Sequence, residues 1–210
     1  DWTTVDDGGY LTLQLGLVKT REKAHMTRLR EASMPTVYNA INSLQRIPWQ
    51  INQRVYGVLF ELFQGNSPVG GLPLMGGLPL PPKPADIDTN PAAAKSWRQA
   101  ATKVHNDNVT IASQRRMLER QVTLAGKFAD YGRIWFPWQL DWRGRVYPVP
   151  TGLCPQADDY GKGLLQFATP HKITPEAEYW MCVQLANVCG NDKISFDDRV
   201  AWAREVRAEV

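Results

Sequence analysis

The chain has 210 residues, is 43% hydrophobic and contains eight tryptophans, which is enough for a sizeable core in one or two domains. It has no apolar run of membrane-spanning length, and its opening DWTTVDDGGY is not a secretory signal. The net charge of +3 hides an asymmetry: ten Lys/Arg against four Asp/Glu between residues 95 and 145, six against nine between 156 and 210. A basic middle suits a polyanionic partner, although exposed helices are often basic for solubility alone.

Residues 35 to 63, PTVYNAINSLQRIPWQINQRVYGVLFELF, read as helix, because Val37, Ile41 and Leu44, then Ile51, Val55, Val58 and Leu62, recur at helical spacing. Pro48 should break or kink this helix near Ile47 and serve as a first-turn residue of its second half. Ser33 or Thr36 is the expected cap. Residues 65 to 91 hold seven prolines and the pentapeptide GGLPL twice, at 70 to 74 and 76 to 80. Such a density continues neither a helix nor a central strand, so this is a loop or linker.

Asn90 should cap a helix that opens at Pro91, PAAAKSWRQAATKV, with a longer one following from about Asn108 to Asp130. The apolar line of the second is Ile111, Leu118, Val122, Ala125 and Ala129. Arg115 falls on that line, and Arg116 and Arg120 lie four apart on a neighbouring face. A solvated face with Glu119 pairing to Arg115 or Arg116 is the plain reading of this triplet.

Residues 134 to 150, IWFPWQLDWRGRVYPVP, suggest two short strands around a turn at Trp142 to Gly144. GKGLLQFA approaches another short strand. PEAEYWMCVQLANVC reads as a helix ended by Gly190. SFDDRVAWAREVRAEV reads as a helix capped at Ser195 that reaches the chain end without a stop signal, so the C-terminus is expected to be a cut. The paired acids Asp158-Asp159 fall in a loop, and Asp197-Asp198 fall in a helix's first turn, where they suit the helix dipole. Cys154, Cys182 and Cys189 contain no CxxC pair and read as small buried side chains; Cys182 and Cys189, seven apart, would share a helix face. The three histidines have no ligand spacing, and no structural metal is expected.

LDWRGRVY, residues 140 to 147, needs an explanation of its own. Two guanidinium groups need water or acceptors, so Arg143 and Arg145 are poor core material. Gly144 permits a left-handed backbone that would aim both side chains by a turn. An exposed hairpin whose Asp141 pairs with an arginine accounts for the composition.

Taken in order, LVKT, MPTVYNAINSLQ, PWQIN, ADIDTNP, GKFADYGRIWFPWQLDWRGRVYPVP, GKGLL and ANVCGNDK resemble the single-subunit DNA-directed RNA polymerases of T-odd-type bacteriophages. That family also contains the mitochondrial enzyme. The opening resembles the family's Pro-Trp…Gly-Gly-Tyr segment. The resemblance covers essentially the whole chain and is most specific from Trp135 to Tyr147, with GKGLL at the matching distance downstream.

The resemblance implies a right-hand polymerase: residues 1–45 as the end of the N-terminal domain, 46–131 as a thumb carrying the linker, and 132–210 as the start of the palm. The fold class expected is mainly α with a small antiparallel β unit, a thumb-type helical hairpin followed by the beginning of a palm. Asp141, Gly144 and Arg145, with Trp142 and Arg143 inside the motif, would hold the template strand and the RNA–DNA hybrid. Lys162 resembles a second template-phosphate contact, with Gly161 and Gly163 leaving room for the backbone. Arg115, Arg116 and Arg120 are candidates for RNA or hybrid backbone.

The family's catalytic aspartates, which bind two Mg²⁺ ions, and its fingers Lys and Tyr match nothing here. No catalytic residue and no metal ligand is therefore expected in this chain. The implied partners are a DNA template, an RNA–DNA hybrid and, for the longer enzyme, nucleoside triphosphates. A monomer in the cytoplasm of an infected bacterium is expected, ahead of a mitochondrial origin. A non-catalytic nucleic-acid-binding module derived from such a polymerase is the alternative, and a helical interaction domain with incidental basic helices is a third. The GGLPL repeat has no counterpart in the family pattern.

Overall fold

The computed structural model describes residues 1–208, with side chains through residue 206. It divides into two compact units, Asp1–Ala168 and the segment from Thr169 onward. The first unit holds, in order, β1 (Val18–Lys19), α1 (Lys23–Glu31), α2 (Pro35–Gln45), β2 (Trp49–Ile51), α3 (Gln53–Gln64), α4 (Pro91–Phe128), β3 (Trp138–Asp141), β4 (Val146–Pro148), α5 (Asp159–Gly163) and β5 (Leu165–Phe167). The second holds α6 (Pro175–Val188) and α7 (Phe196–Ala208). The protein is mainly helical with two small sheets, the fold class that the sequence implies.

The helix expected over 35 to 63 is two helices with a strand between them. Ile47 precedes a proline and is pushed off helical geometry. Trp49–Ile51 then runs antiparallel to β5, with Trp49 opposite Phe167 and Ile51 opposite Leu165. The Trp49 and Phe167 rings lie 4.5 Å apart, a cross-strand aromatic pair of the kind that fixes short strands. Pro48 therefore starts no helix; Asn52 caps α3, its Oδ1 accepting from the Val55 N–H at 3.2 Å. At α2, Pro35 takes the first turn behind Met34, and neither Ser33 nor Thr36 supplies a capping bond.

The two helices expected after the linker are one helix of 38 residues, capped by Asn90 through the amides of Ala92 and Ala93. The polar run at 105 to 108 does not break it, because the linker lies along it. Asn108 bonds both backbone groups of Leu78, accepting from its N–H at 2.6 Å and donating to its carbonyl at 2.9 Å. Trp97 Nε1 donates to the Pro81 carbonyl, and Tyr160 donates to that of Gly70. Both copies of GGLPL take positive φ at both glycines. The first copy inserts Leu72 into the core, while Leu78 of the second stays exposed. Residues 65 to 90 form an ordered strap.

One core gathers Ile51, Leu59, Leu72, Leu118, Val122, Phe136 and Leu164 between α3, α4 and the β2–β5 pair. A second gathers Trp2, Leu17, Ile41, Trp138 and Leu140 around β3. There β1 runs parallel to β3, with Val18 opposite Leu140 and Lys19 opposite Asp141, and β4 runs antiparallel on the other side. In the second unit, α6 is capped by Thr174 and followed by Gly190 at φ +85°. At α7 the Ser195 Oγ accepts from the Asp198 N–H and donates to its carboxylate. Cys154 and Cys182 are buried as expected, whereas Cys189 is exposed, because it caps α6 beyond the last covered turn.

Candidate nucleic-acid interface

Strand β3 is held from three sides before it delivers its last residue, Asp141. Its backbone takes a bond from the Trp2 indole into the Trp138 carbonyl at 2.7 Å, and the Trp138 N–H donates to Gln45 Oε1 at 2.9 Å. Asn42 in turn fixes Trp2 through both its amide groups. Asn42 and Gln45 are buried polar residues on α2, and sequence reasoning passed over both because they fall on an apolar face.

The hairpin turn is organised by one carboxylate. The Asp141 N–H donates to the Arg145 carbonyl at 2.8 Å, and the Gly144 N–H donates to the Asp141 carbonyl at 3.0 Å. Gly144 sits at φ +81° with open space where a Cβ would be, so dihedral freedom and not crowding selects glycine. Asp141 Oδ1 accepts the backbone N–H groups of Arg143 and Arg145, both at 2.9 Å. Its Oδ2 accepts their Nε–H groups, at 3.3 and 3.1 Å. Asp141 is 15% exposed, while the two arginine side chains are 52% and 53% exposed.

Each guanidinium thus spends its Nε–H on Asp141, and the Nη groups, which carry the remaining donors, form no bond among the described residues. Pairs this exposed contribute little stability; what they set is direction. Trp142 is 63% exposed, with the Arg143 guanidinium 5.2 Å from its ring centre.

The turn does not stand alone. A groove of about 730 Å³ runs beside it, lined by Lys19, Thr20 and Arg21 on one side and by Gln139, Trp142, Arg143 and Tyr147 on the other. Lys19 and Arg21 are exposed and form no ion pair among the described residues. Nothing local in LVKT marks Lys19 or Arg21, and only the parallel pairing of Lys19 with Asp141 brings these charges to the groove.

Lys162 lies on α5, where its Nζ is 3.0 Å from Asp159 Oδ1 in an exposed pair that a phosphate can replace at small cost. Asp158 and Asp159 do not lie in a loop: Asp158 caps α5 by accepting from the Gly161 N–H, and Asp159 is in its first turn. Gln121, 1% exposed on α4, donates to Asp158 Oδ1 at 2.6 Å and to the Gly152 carbonyl at 3.3 Å. The long helix is thereby bolted to the element that carries Lys162. Gln121→Glu sets a second carboxylate against Asp158 and should cost roughly 3 kcal/mol near neutral pH. The cost should shrink toward pH 5, where the added group, its folded pKa raised by burial and by Asp158, takes up a proton. Urea melts at the two pH values check this.

The thumb-helix arginines separate. Arg115 is partly buried and committed within the chain: its Nη groups donate to the carbonyls of Phe63 and Pro73 at 3.0 and 3.1 Å, and its guanidinium lies 3.9 Å from the Phe63 ring centre. It ties α3, the strap and α4 together. Arg116 and Arg120 are exposed and pair with neither Glu119 nor any other acid among the described residues. Arg115→Ala should therefore cost about 2 kcal/mol of stability, two charge-assisted bonds and a cation–π contact. Arg116→Ala should stay within about 0.5 kcal/mol; a denaturant midpoint for each variant distinguishes them.

Together these features make a surface that is basic and aromatic around an ordered turn. The family model described as DNA-dependent RNA polymerase matches residues 171–210. The DNA-directed RNA polymerase of Enterobacteria phage T3 is 41% identical over 205 residues, covering 96% of this chain and 23% of that protein. T7 RNA polymerase of Escherichia phage T7 is 39% identical over 97% of this chain and 23% of its own length. A mitochondrial DNA-directed RNA polymerase of Nicotiana tabacum is 28% identical over 96% of the chain and 21% of its own length. Over nearly its whole length the chain is similar to these phage RNA polymerases, and it spans about a quarter of the length of these relatives.

Proposed function

We propose that this chain is the part of a DNA-directed RNA polymerase that holds the template strand and the RNA–DNA hybrid. The observation that carries the reading is the Asp141-ordered turn, which presents two guanidinium groups with free Nη donors. Arg143 and Arg145 fork onto phosphate oxygens, which positions a strand without reading its sequence. Trp142 stacks on a base, worth about 1–3 kcal/mol and nearly independent of which base it is. Lys162 exchanges Asp159 for a second phosphate, and Lys19 and Arg21 line the other wall of the groove. Arg116 and Arg120 contribute to the backbone field of the long helix, while Arg115 serves the helix itself.

In this reading residues 1–45 close an N-terminal domain, 46–131 are the thumb and 132–210 begin the palm. The protein works as a monomer on DNA, hybrid and nucleoside triphosphates in a phage-infected bacterial cell. Mg²⁺ would supply the two-metal chemistry of phosphoryl transfer. The described residues do not fit it: no three His, Cys, Asp or Glu come together as ligands. Asp158 and Asp159 are engaged by Gln121 and Lys162, and Asp197 and Asp198 by Tyr179 and Ser195. No catalytic step is assigned to this chain.

The test is a titration of the 210-residue chain into fluorescein-labelled RNA–DNA hybrids of two unrelated sequences at several salt concentrations. Equal affinities that fall steeply with salt are expected. Absence of binding at low salt overturns the reading.

A further inference from the structure

A second recess, about 460 Å³ in volume, opens between the last turns of α4 and the approach to β3. Its floor, Phe136 and Leu153, is 6% and 3% exposed, yet Tyr10, Phe128 and Trp135 around it remain 38%, 37% and 54% exposed. Among the polar groups that line it, the Tyr10 hydroxyl and the Arg120 guanidinium have no partner among the described residues. Burial holds the Tyr10 phenol above its ordinary pKa, so it stays a neutral donor.

An aliphatic side chain or lipid tail seated there would cover the aromatic faces and leave the phenol and the guanidinium unpaired, at a cost. A nucleobase meets all three demands, with a π-face for the rings, edge acceptors for the phenol and a phosphate for the cation. The recess ends at Pro137 and the clamp turn begins at Asp141. The four residue steps from one to the other span about 13 Å, or about four base steps along one stacked strand.

Resting on the turn as a hybrid clamp, we propose that this recess receives one unpaired nucleobase of the strand held at Asp141–Arg145, with Arg120 on its phosphate. From sequence Arg120 is a candidate for RNA or hybrid backbone, while Tyr10, Phe128 and Trp135 carry no role.

The test uses the 210-residue chain with RNA–DNA hybrids that are blunt or carry a single-stranded extension, DNA or RNA, with one iodouracil moved stepwise along it. Irradiation should cross-link Trp135, Phe128 or Tyr10 from one or two adjacent positions only. Trp135→Leu should weaken the extended hybrid by about tenfold and leave the blunt one unchanged, and Arg120→Gln should weaken the extended hybrid more than the blunt one. Cross-links spread evenly along the extension, or equal losses on both hybrids, or no loss on either, overturn the recess. If Arg145→Ala leaves blunt-hybrid affinity unchanged, the clamp itself fails, and the recess fails as its continuation. A normal Arg145 effect beside an absent Trp135 effect sinks the recess alone.

Discussion

Asp141→Asn is expected to weaken RNA–DNA hybrid binding even though it makes the chain more positive. An asparagine keeps one oxygen for the backbone N–H groups of Arg143 and Arg145, which Asp141 Oδ1 now accepts at 2.9 Å. Its amide NH₂ then faces the two Nε–H groups, donor against donor, and the guanidinium groups lose their aim. A site that worked by net charge alone would bind more tightly after this change. Arg145→Ala should cost about tenfold to a hundredfold, the range of a lost charge-assisted bond, and lower the slope of log affinity against log salt by about one. Arg145→Lys should recover the slope but not the full affinity, since a lysine cannot both lean on Asp141 and fork onto phosphate. Anisotropy titrations across salt concentrations read all three variants; tighter binding by Asp141→Asn would reduce the turn to a charged loop.

A large loss of stability is expected at Gly161. A Cβ there would lie 2.5 Å from the Gly152 carbonyl oxygen, 2.5 Å from Ala157 Cβ and 3.0 Å from Gln121 Nε2. Two of these neighbours are fixed by the backbone, so the whole α5 cap must shift. Gly161→Ala should cost about 3 kcal/mol, lowering the melting temperature by about 6–12 °C for a unit of this size. Gly163, two residues on, is the control: its Cβ would meet only Val55 Cγ1 at 3.8 Å, and alanine there should be neutral or slightly stabilising. Equal melting temperatures for the two variants would show that the Gly152–Gly161 contact does not exist in solution. Space at Gly161 is thus taken up inside the chain, and only Gly163 offers an open backbone beside Lys162.

What could be read from the sequence was whatever is encoded within a few residues. The hairpin and its turn were legible because Asp, Gly and the flanking alternation act locally, and so were the caps at Asn90, Ser195 and the stop at Gly190. Strand β2 was not, since Val37 to Leu62 keep a helical period through it and its partner β5 lies over a hundred residues away in sequence. The single long helix was split in prospect because its polar stretch around Asn108 breaks the apolar line; that stretch is covered by backbone of the strap and not by a core. Arg115 looked like Arg116 for the same reason, its acceptors being carbonyls at Phe63 and Pro73. The groove wall of Lys19 and Arg21 depends on a parallel pairing that no local pattern announces.

The length of α4 has a mechanical consequence. Its 38 residues make a rod about 57 Å long, but its large buried side chains, Leu118, Gln121 and Val122, all lie near one end. From Pro91 to Leu118 a lever arm of about 40 Å is braced by the strap through Trp97 and Asn108, and by the strap and α3 through Arg115. A tilt of about 5° at the root carries the tip through about 3–4 Å, close to one base step along a strand. Gln121 and Asp158 sit at that fulcrum, so the bond that steadies the Lys162 helix is also the one that a swing of the arm would strain first.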